Sequence, residues 1–259
     1  MGSEMCLRAR AKAHWHQLVT SSLDAPLPKP IDHHIHEEGW QLWSGYNKVA
    51  SPSTDNLYAL IQDPISQMWW VRHGHSTYAA HQLTDWCASK ALMTSLPFPR
   101  RRYVTKTASE NCGVGTTKLA WKLQSHSNCP RCPHPAENTL HVQRCHGHGA
   151  DILWNESIKS FTSYMEKHKT HPGIKHALVY CLQQWRLQNR IDPFTCIPAV
   201  RTAIRDQHKI GWLDLFEGLA AKSWQRLQML YHKQHGFRRS GSTWLRGILL
   251  QLHHMGWKQ

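Results

Sequence analysis

The feature that most constrains this chain is a set of four ligand-type residues, Cys129-Pro-Arg-Cys132 followed by His141 and Cys145. The pattern Cys-x2-Cys-x8-His-x3-Cys supplies three thiolates and one imidazole, which suits tetrahedral zinc. Two residues between the first cysteines make a tight turn from which both sulfurs can face one ion. His141 and Cys145 are spaced i, i+4, which puts them on one face of a helix. Four such ligands leave no coordination position open, so the expected cofactor is one structural Zn2+. A redox Cys-x2-Cys would want its first cysteine at a helix N-terminus after a strand. Here Ser125-His-Ser-Asn128 leads in from a loop. With 21 histidines in the chain, a histidine near a cysteine means little. The CPxC turn, and a cysteine one helical turn beyond His141, carry the assignment.

The remaining cysteines, Cys6, Cys87, Cys112, Cys181 and Cys196, follow no pattern. That suits a reducing compartment better than a disulfide framework. The first residues, Met-Gly-Ser-Glu-Met-Cys, lack the basic-then-apolar order of a secretory signal. No stretch approaches the roughly 18 apolar residues of a membrane span. The expectation is an intracellular protein of nucleus or cytoplasm with no membrane partner. A chain of 259 residues with 41% hydrophobic content and 13 Trp can bury a real core, as one large or two small domains.

Four regions are expected: residues 1–39, an N-terminal helix and Pro-rich linker; 40–126, helical; 127–149, the zinc-binding module; and 150–259, a C-terminal helical domain. In the first, residues 4–20 carry Leu7, Ala11, Trp15 and Leu18 along one face, and Asp24 to Pro30 is a linker broken by three prolines. In the second, short helices are expected at 55–62 and 64–72. A longer one is expected at 77–95, stopped by Pro97 and Pro99. Residues 100–106 read as a short strand or extended segment. Residues 115–124 read as a helix that turns Leu119 and Leu123 to a core and Lys118 and Lys122 outward.

After residue 150 the period is plainly helical. Trp154, Ile158, Phe161 and Met165 form one stripe, and Ile174, Leu178, Cys181 or Leu182, and Trp185 a second. Val200 and Ile204 begin a third that ends near Gly211. Trp224, Leu227 and Tyr231 mark a fourth, and Trp244, Ile248, Leu252 and Met255 a fifth. Strand signals are nearly absent. The fold class is mainly α, with helical bundle-like domains built around a small Cys3His zinc module.

Charge is uneven. Residues 1–75 hold 6 Lys/Arg and 7 Asp/Glu, net −1, and residues 76–259 hold 25 and 10, net +15, which gives the overall +14. A field of that sign attracts polyanions, and it coincides with a zinc module and many aromatics. The candidate phosphate contacts are Arg100, Arg101, Arg102 and Lys106 around Tyr103, with Arg131 and Arg144 framing the metal ligands. Arg201, Arg205 and Lys209 at i, i+4, i+8 read as a solvated helix face.

Other motifs carry less. His33, His34, His36, Glu37 and Glu38 cluster, but no HExxH-type pattern supports a second metal there. Cys112-Gly-Val-Gly115 lacks the ending of a phosphate loop and reads as a loop capping the next helix, where backbone N–H groups and Lys118 could meet a phosphate. No Gly-x-Ser-x-Gly elbow and no Tyr-x-Asp-Asp pair occurs, so no catalytic residue is assigned.

The series Arg101-Arg-Tyr-Val-Thr-Lys106, Asn111-Cys-Gly-Val-Gly115, Cys129-Pro-Arg-Cys132 and His141-Val-Gln-Arg-Cys145 resembles a family of retrotransposon-derived, reverse-transcriptase-associated proteins of algal genomes. Gln184-Trp-Arg186, Ala203-Ile-Arg-Asp-Gln207, Ile210-Gly-Trp212 and Arg238-Arg-Ser-Gly-Ser-Thr-Trp244 extend the resemblance, which runs from about Trp40 to the end. The metal motif is similar to the zinc-binding segment that follows plant-type reverse transcriptase domains. The resemblance implies that Cys129, Cys132, His141 and Cys145 bind zinc, and it carries over nothing catalytic. Family members continue beyond Trp257 with another helix, which implies a truncated or decayed copy here. The reading is a basic, zinc-stabilised retroelement protein that binds RNA or DNA through phosphates, with a protein from the same element as a further partner. The alternatives are a non-catalytic zinc-stabilised protein-interaction scaffold, a decayed fragment without activity, or a nuclease using His33 to Glu38.

Overall fold

The computed structural model describes residues 77–237 and 240–259 in full, and the backbone of two short strands before them. The chain divides into two compact units, Met1–Leu60 and Ile61–Gln259. In the first, β1 (Leu42–Ser44) and β2 (Asn47–Val49) pair antiparallel in the register Leu42↔Val49 and Ser44↔Asn47. Residues 45 and 46 lie between them in the sequence. The helices expected at 4–20, 55–62 and 64–72, the proline linker and the cluster from His33 to Glu38 lie outside the described residues.

The second unit is helical: α1 (Tyr78–Leu83), α2 (Trp86–Ser95), α3 (Phe98–Ala108), α4 (Gly115–Ala120), α5 (Thr139–Arg144), α6 (Ala150–Lys167), α7 (Pro172–Arg186), α8 (Pro198–Ile210), α9 (Lys222–Gln234) and α10 (Gly241–Lys258). A single 3-10 turn, Pro193–Thr195, precedes α8. The starts obey elementary capping chemistry. Thr77, Asp85, Asn138 and Ser240 each accept a backbone N–H with the side chain. Pro172 and Pro198 occupy first-turn positions, where their missing N–H costs nothing.

The stripes after residue 150 are the core. Trp154, Phe161, Met165, Ile174, Leu178, Leu182, Val200, Ile204, Trp224, Trp244, Ile248, Leu252 and Met255 are all buried. Leu227 and Tyr231 of the fourth stripe are only partly covered, and α9 turns Trp224, Gln228 and His232 inward instead. Helix α10 lies against α2, α6 and α9, while α8 packs on α1, α7 and α9.

Three sequence expectations are corrected. The helix expected over 77–95 is two helices. Thr84 forms a bridge to Ala221, Asp85 donates its N–H to Ala220 O at 2.8 Å, and the Asp85 carboxylate restarts the chain as α2 by accepting from Ala88 N at 3.0 Å. Residues 100–106 are helical, not extended. Pro97 caps α3 and Pro99 sits in its first turn, so the prolines that follow α2 also begin the next helix. Val104 and Thr107, at i, i+3, are its buried face. Finally, α4 is only six residues long and does not deliver Leu119 and Leu123 to the core; they are 41% and 71% exposed.

The α8–α9 connection is sewn to the core by Gln207. Its side chain donates to Gly211 O at 2.7 Å and Leu219 O at 3.2 Å and accepts from Ala221 N at 3.0 Å. Gly211 has φ +126°, and a β-carbon there would stand 1.9 Å from Asp214 Oδ2, so only glycine fits. The connection buries Trp212, Leu215 and Phe216 and takes two carboxyls down with them. Burial pushes Asp214 up to about 6. Burial, then the neighbouring Asp214 and Glu110, push Glu217 up to about 8. Burial holds the fully enclosed His253 down to about 4.

These shifts have opposite linkage signs. A carboxyl raised by folding contributes stability below its unfolded pKa that is lost as pH climbs through the folded value. A histidine lowered by folding contributes stability above its unfolded pKa that is lost as pH falls through the folded value. Of the three folded-state values, only that of Glu217 lies above pH 6.5. Stability is expected to fall by about 2 kcal/mol across that window. Denaturant midpoints at pH 6.5 and 8 should show the fall in wild type and a smaller fall, or none, in Glu217→Gln. An equal slope in both proteins would place the effect elsewhere.

Candidate metal centre

The four motif residues meet. The ligand atoms of Cys129, Cys132, His141 and Cys145 all lie within 4.8 Å of one another and form a group that can hold a metal ion. Cys129 Sγ and Cys145 Sγ are 3.8 Å apart, and Cys132 Sγ is 3.3 Å from His141 Nε2. Cys129 and Cys145 are buried, while Cys132 and His141 are half-buried.

Local structure places each donor. The first pair sits on a turn closed by Cys129 N donating to His134 O at 2.9 Å. Within it, Arg131 N points at Cys129 Sγ at 3.4 Å, and across the site Gly147 N points at Cys145 Sγ at 3.3 Å. Such N–H groups stabilise thiolates. Helix α5, capped by Asn138, carries His141. The helix stops at Arg144, so Cys145 is its cap residue in extended backbone and not, as the spacing suggested, a member of the same helical face. Gly147 then passes so close to the knuckle that a β-carbon would fall 2.2 Å from Arg131 O, and His148 N donates to that same oxygen at 3.3 Å. The imidazole of His134 stacks on His141 at 4.2 Å between centroids and fixes its plane.

Close packing of the thiols shapes their electrostatics. Burial opposes ionisation of Cys129, but the N–H groups of Arg131 and Cys132 and the neighbouring thiols outweigh it and lower its pKa. Cys145 is pushed up to about 11, first by burial and then by Cys132 and Cys129. The His141 imidazole is held below its ordinary range by burial and by His134. That shift favours the neutral imidazole, the form in which histidine binds a metal.

Two ties join this module to the bundle, and neither was foreseen from sequence. Arg186 at the end of α7, only 3% exposed, donates Nη2 to Cys145 O at 2.6 Å. The same nitrogen pairs with Asp151 Oδ1 at 2.8 Å, and the guanidinium lies 4.8 Å over Trp154. Gln143 Nε2 donates to Gly256 O of α10 at 3.0 Å. A third contact anchors the segment that leads into α5: Glu137 accepts from Gly115 N at 2.7 Å. That carboxylate takes the N-terminal position of α4, where an external phosphate had been envisaged beside Lys118.

The candidate phosphate contacts divide. Arg101, Arg102 and Arg131 are exposed, and Lys106 is half-buried. Arg100 turns back to α10, with Nη1 donating to His254 Nε2 at 2.7 Å. Arg144 does not frame an open path. Its guanidinium stacks 4.6 Å over Trp185, and burial lowers its pKa. Tyr103 reaches the Gly256 carbonyl and packs edge-on to Trp257, away from solvent. No helix among the described residues is long and apolar enough to cross a membrane. In comparisons with known proteins, no family model, no curated protein and no solved structure matches the chain.

Proposed function

We propose that this is a structural-zinc protein, derived from a retroelement, that binds nucleic acid largely through phosphate contacts. For the metal, the donor set supports zinc. A Zn–S bond of about 2.3 Å gives a regular tetrahedron an S···S edge of about 3.8 Å, and the Cys129–Cys145 separation is 3.8 Å. Three thiolates and an imidazole fill the shell, so Cys129, Cys132, His141 and Cys145 would hold an ion that organises the chain and presents no reactive water.

The observation that carries the nucleic-acid reading is uncompensated charge. Residues 76–259 carry a net +15. Among the described residues only three ion pairs form, His146–Asp151, Lys175–Glu166 and Arg186–Asp151. Arg101, Arg102 and Arg131 take part in none of them. A surface of that kind attracts a polyanion and releases its counterions. Arg144, packed on Trp185, belongs to the module's architecture and leaves the contact set.

The test is a titration against duplex DNA, single strands and structured RNA at several salt concentrations. Replacing Arg101, Arg102 and Arg131 by Ala is expected to weaken binding about equally across sequences. The salt slope should become shallower by roughly one unit for each phosphate no longer neutralised. Wild-type affinity independent of salt would end this reading. One observation favours the protein-interaction scaffold in that event. Leu119, Trp121 and Leu123 are exposed together in one short segment.

A further inference from the structure

The candidate phosphate contacts above lie on the surface, but the molecule also has a cleft of about 260 Å³ between α6 and α10. It is lined by Ser157 and Ser160 of α6, by Gln251, His254 and Lys258 of α10, and floored by Phe161 and Met255. No carboxylate lines it. Arg100 reaches its edge from α3, through the 2.7 Å hydrogen bond to His254.

The polar groups of this cleft are not engaged by the rest of the protein. A hydroxyl on a helix ordinarily bonds back to the carbonyl four residues earlier, as Thr162 does to Ile158 O at 2.9 Å one turn away. Among the described residues, neither the Ser157 nor the Ser160 hydroxyl, the Gln251 amide nor the Lys258 ammonium has a protein hydrogen-bond partner. The Ser157 residue is only 6% exposed, and its hydroxyl opens into the cleft. Lys258 and Arg100 both lack a carboxylate partner among the described residues, yet they converge on His254. Burial first, then the charges of Arg100 and Lys258, disfavour protonation of that imidazole.

We infer that this cleft is a phosphate subsite, taking a backbone phosphate of the nucleic acid that the proposed function assigns to the protein. Lys258 and Arg100 supply positive charge. Ser157, Ser160 and Gln251 supply neutral donors, and the apolar floor of Phe161 and Met255 excludes water on one side. Against about 30 Å³ for a water molecule in the liquid, the cleft has room for a phosphate group and several waters. The inference rests on the nucleic-acid reading for its ligand, and on the cleft alone for its chemistry.

The experiment therefore has two arms on the full-length, metal-loaded protein. In the first, inorganic phosphate is titrated while the ring resonances of His254 are followed. They should shift saturably in wild type and not in Lys258→Gln, a substitution at an exposed position near the end of α10. In the second, a short fluorescent single strand is titrated at several salt concentrations. Lys258→Gln and the double variant Ser157→Ala/Ser160→Ala should each bind about five- to tenfold more weakly at low salt, and Lys258→Gln should lose about one unit of salt slope. Circular dichroism checks that both variants fold. Oligonucleotide binding by wild type and both variants with equal affinity and slope, and no phosphate-induced shift, overturns the subsite and leaves the wider reading standing. Phosphate binding at the cleft without oligonucleotide binding keeps the subsite and removes the wider reading, making its ligand a small phosphate.

Discussion

Cys132→Ser is expected to release the metal and unfold residues 127–149 while the helices beyond them persist. Structural zinc binding in small modules contributes about 10–16 kcal/mol that is inseparable from their folding. This module has little else. Among its residues only Cys129, Gln143 and Cys145 are buried, and α5 is six residues long, too short to stand alone. The bundle, by contrast, has its own core in α2 and α6 to α10. Metal analysis of the carefully reduced wild type should give about one zinc per chain, and the variant none. Loss of local stability should exceed about 4 kcal/mol, seen as rapid amide exchange confined to the module. Folded, reduced wild type without zinc would sink the assignment. So would a variant whose module exchanges as slowly as wild type.

Arg186→Ala carries the second largest expected effect, because one side chain serves both bodies. The guanidinium is buried, donates to Cys145 O and Asp151 Oδ1, and covers Trp154. Hydrogen bonds from a charged donor contribute about 1.5–3 kcal/mol, and the vacated space over Trp154 adds a packing loss. A destabilisation of about 3 kcal/mol follows. Asp151→Asn should cost under about 1 kcal/mol, since the Asp151 side chain is 54% exposed. Arg186→Met, which refills the volume without the donors, should fall between. Arg186→Ala should also surrender its metal to a chelator faster than wild type, because the carbonyl of a ligand residue has no clamp. Equal unfolding midpoints and equal metal release for Arg186→Ala and wild type would show that the clamp is idle.

The stripes after residue 150 and the convergence of Cys129, Cys132, His141 and Cys145 were legible because each follows a period or spacing that physics leaves little freedom to vary. What was missed lies where side chains act across the chain. Thr84-Asp85 reads as two more residues of a helix until Ala220 and Ala221 arrive to pair with them. Pro97 and Pro99 were read as a stop, and local sequence does not say that they also start α3. Arg144 and Arg186 count as basic residues in any composition, yet aromatic faces at Trp185 and Trp154 draw both inward. The landmarks Arg186, Gln207, Gly211 and Trp244 look like scattered identities in sequence. In space they are the clamp on Cys145, the stitch in the α8–α9 connection, the turn that only glycine fits, and a buried anchor whose indole donates to Thr170 Oγ1 at 2.9 Å.

The seating of α2 on α10 has a consequence for the chain during synthesis. The Ser89 hydroxyl bonds to Gly218 O across 129 residues, and Arg100 meets His254 across 154. At roughly 5–20 residues per second, α2 leaves the ribosome many seconds before the partners that bury Leu92 exist. The four cysteine and histidine donors are all made by Cys145, while Arg186 and Gly256, which tie their segment to the bundle, come later. The bundle cannot close until α10 has been made, and closing so long a loop is slow. A nascent chain therefore carries this cluster beside an apolar face of α2 that stays uncovered until α10 has been made.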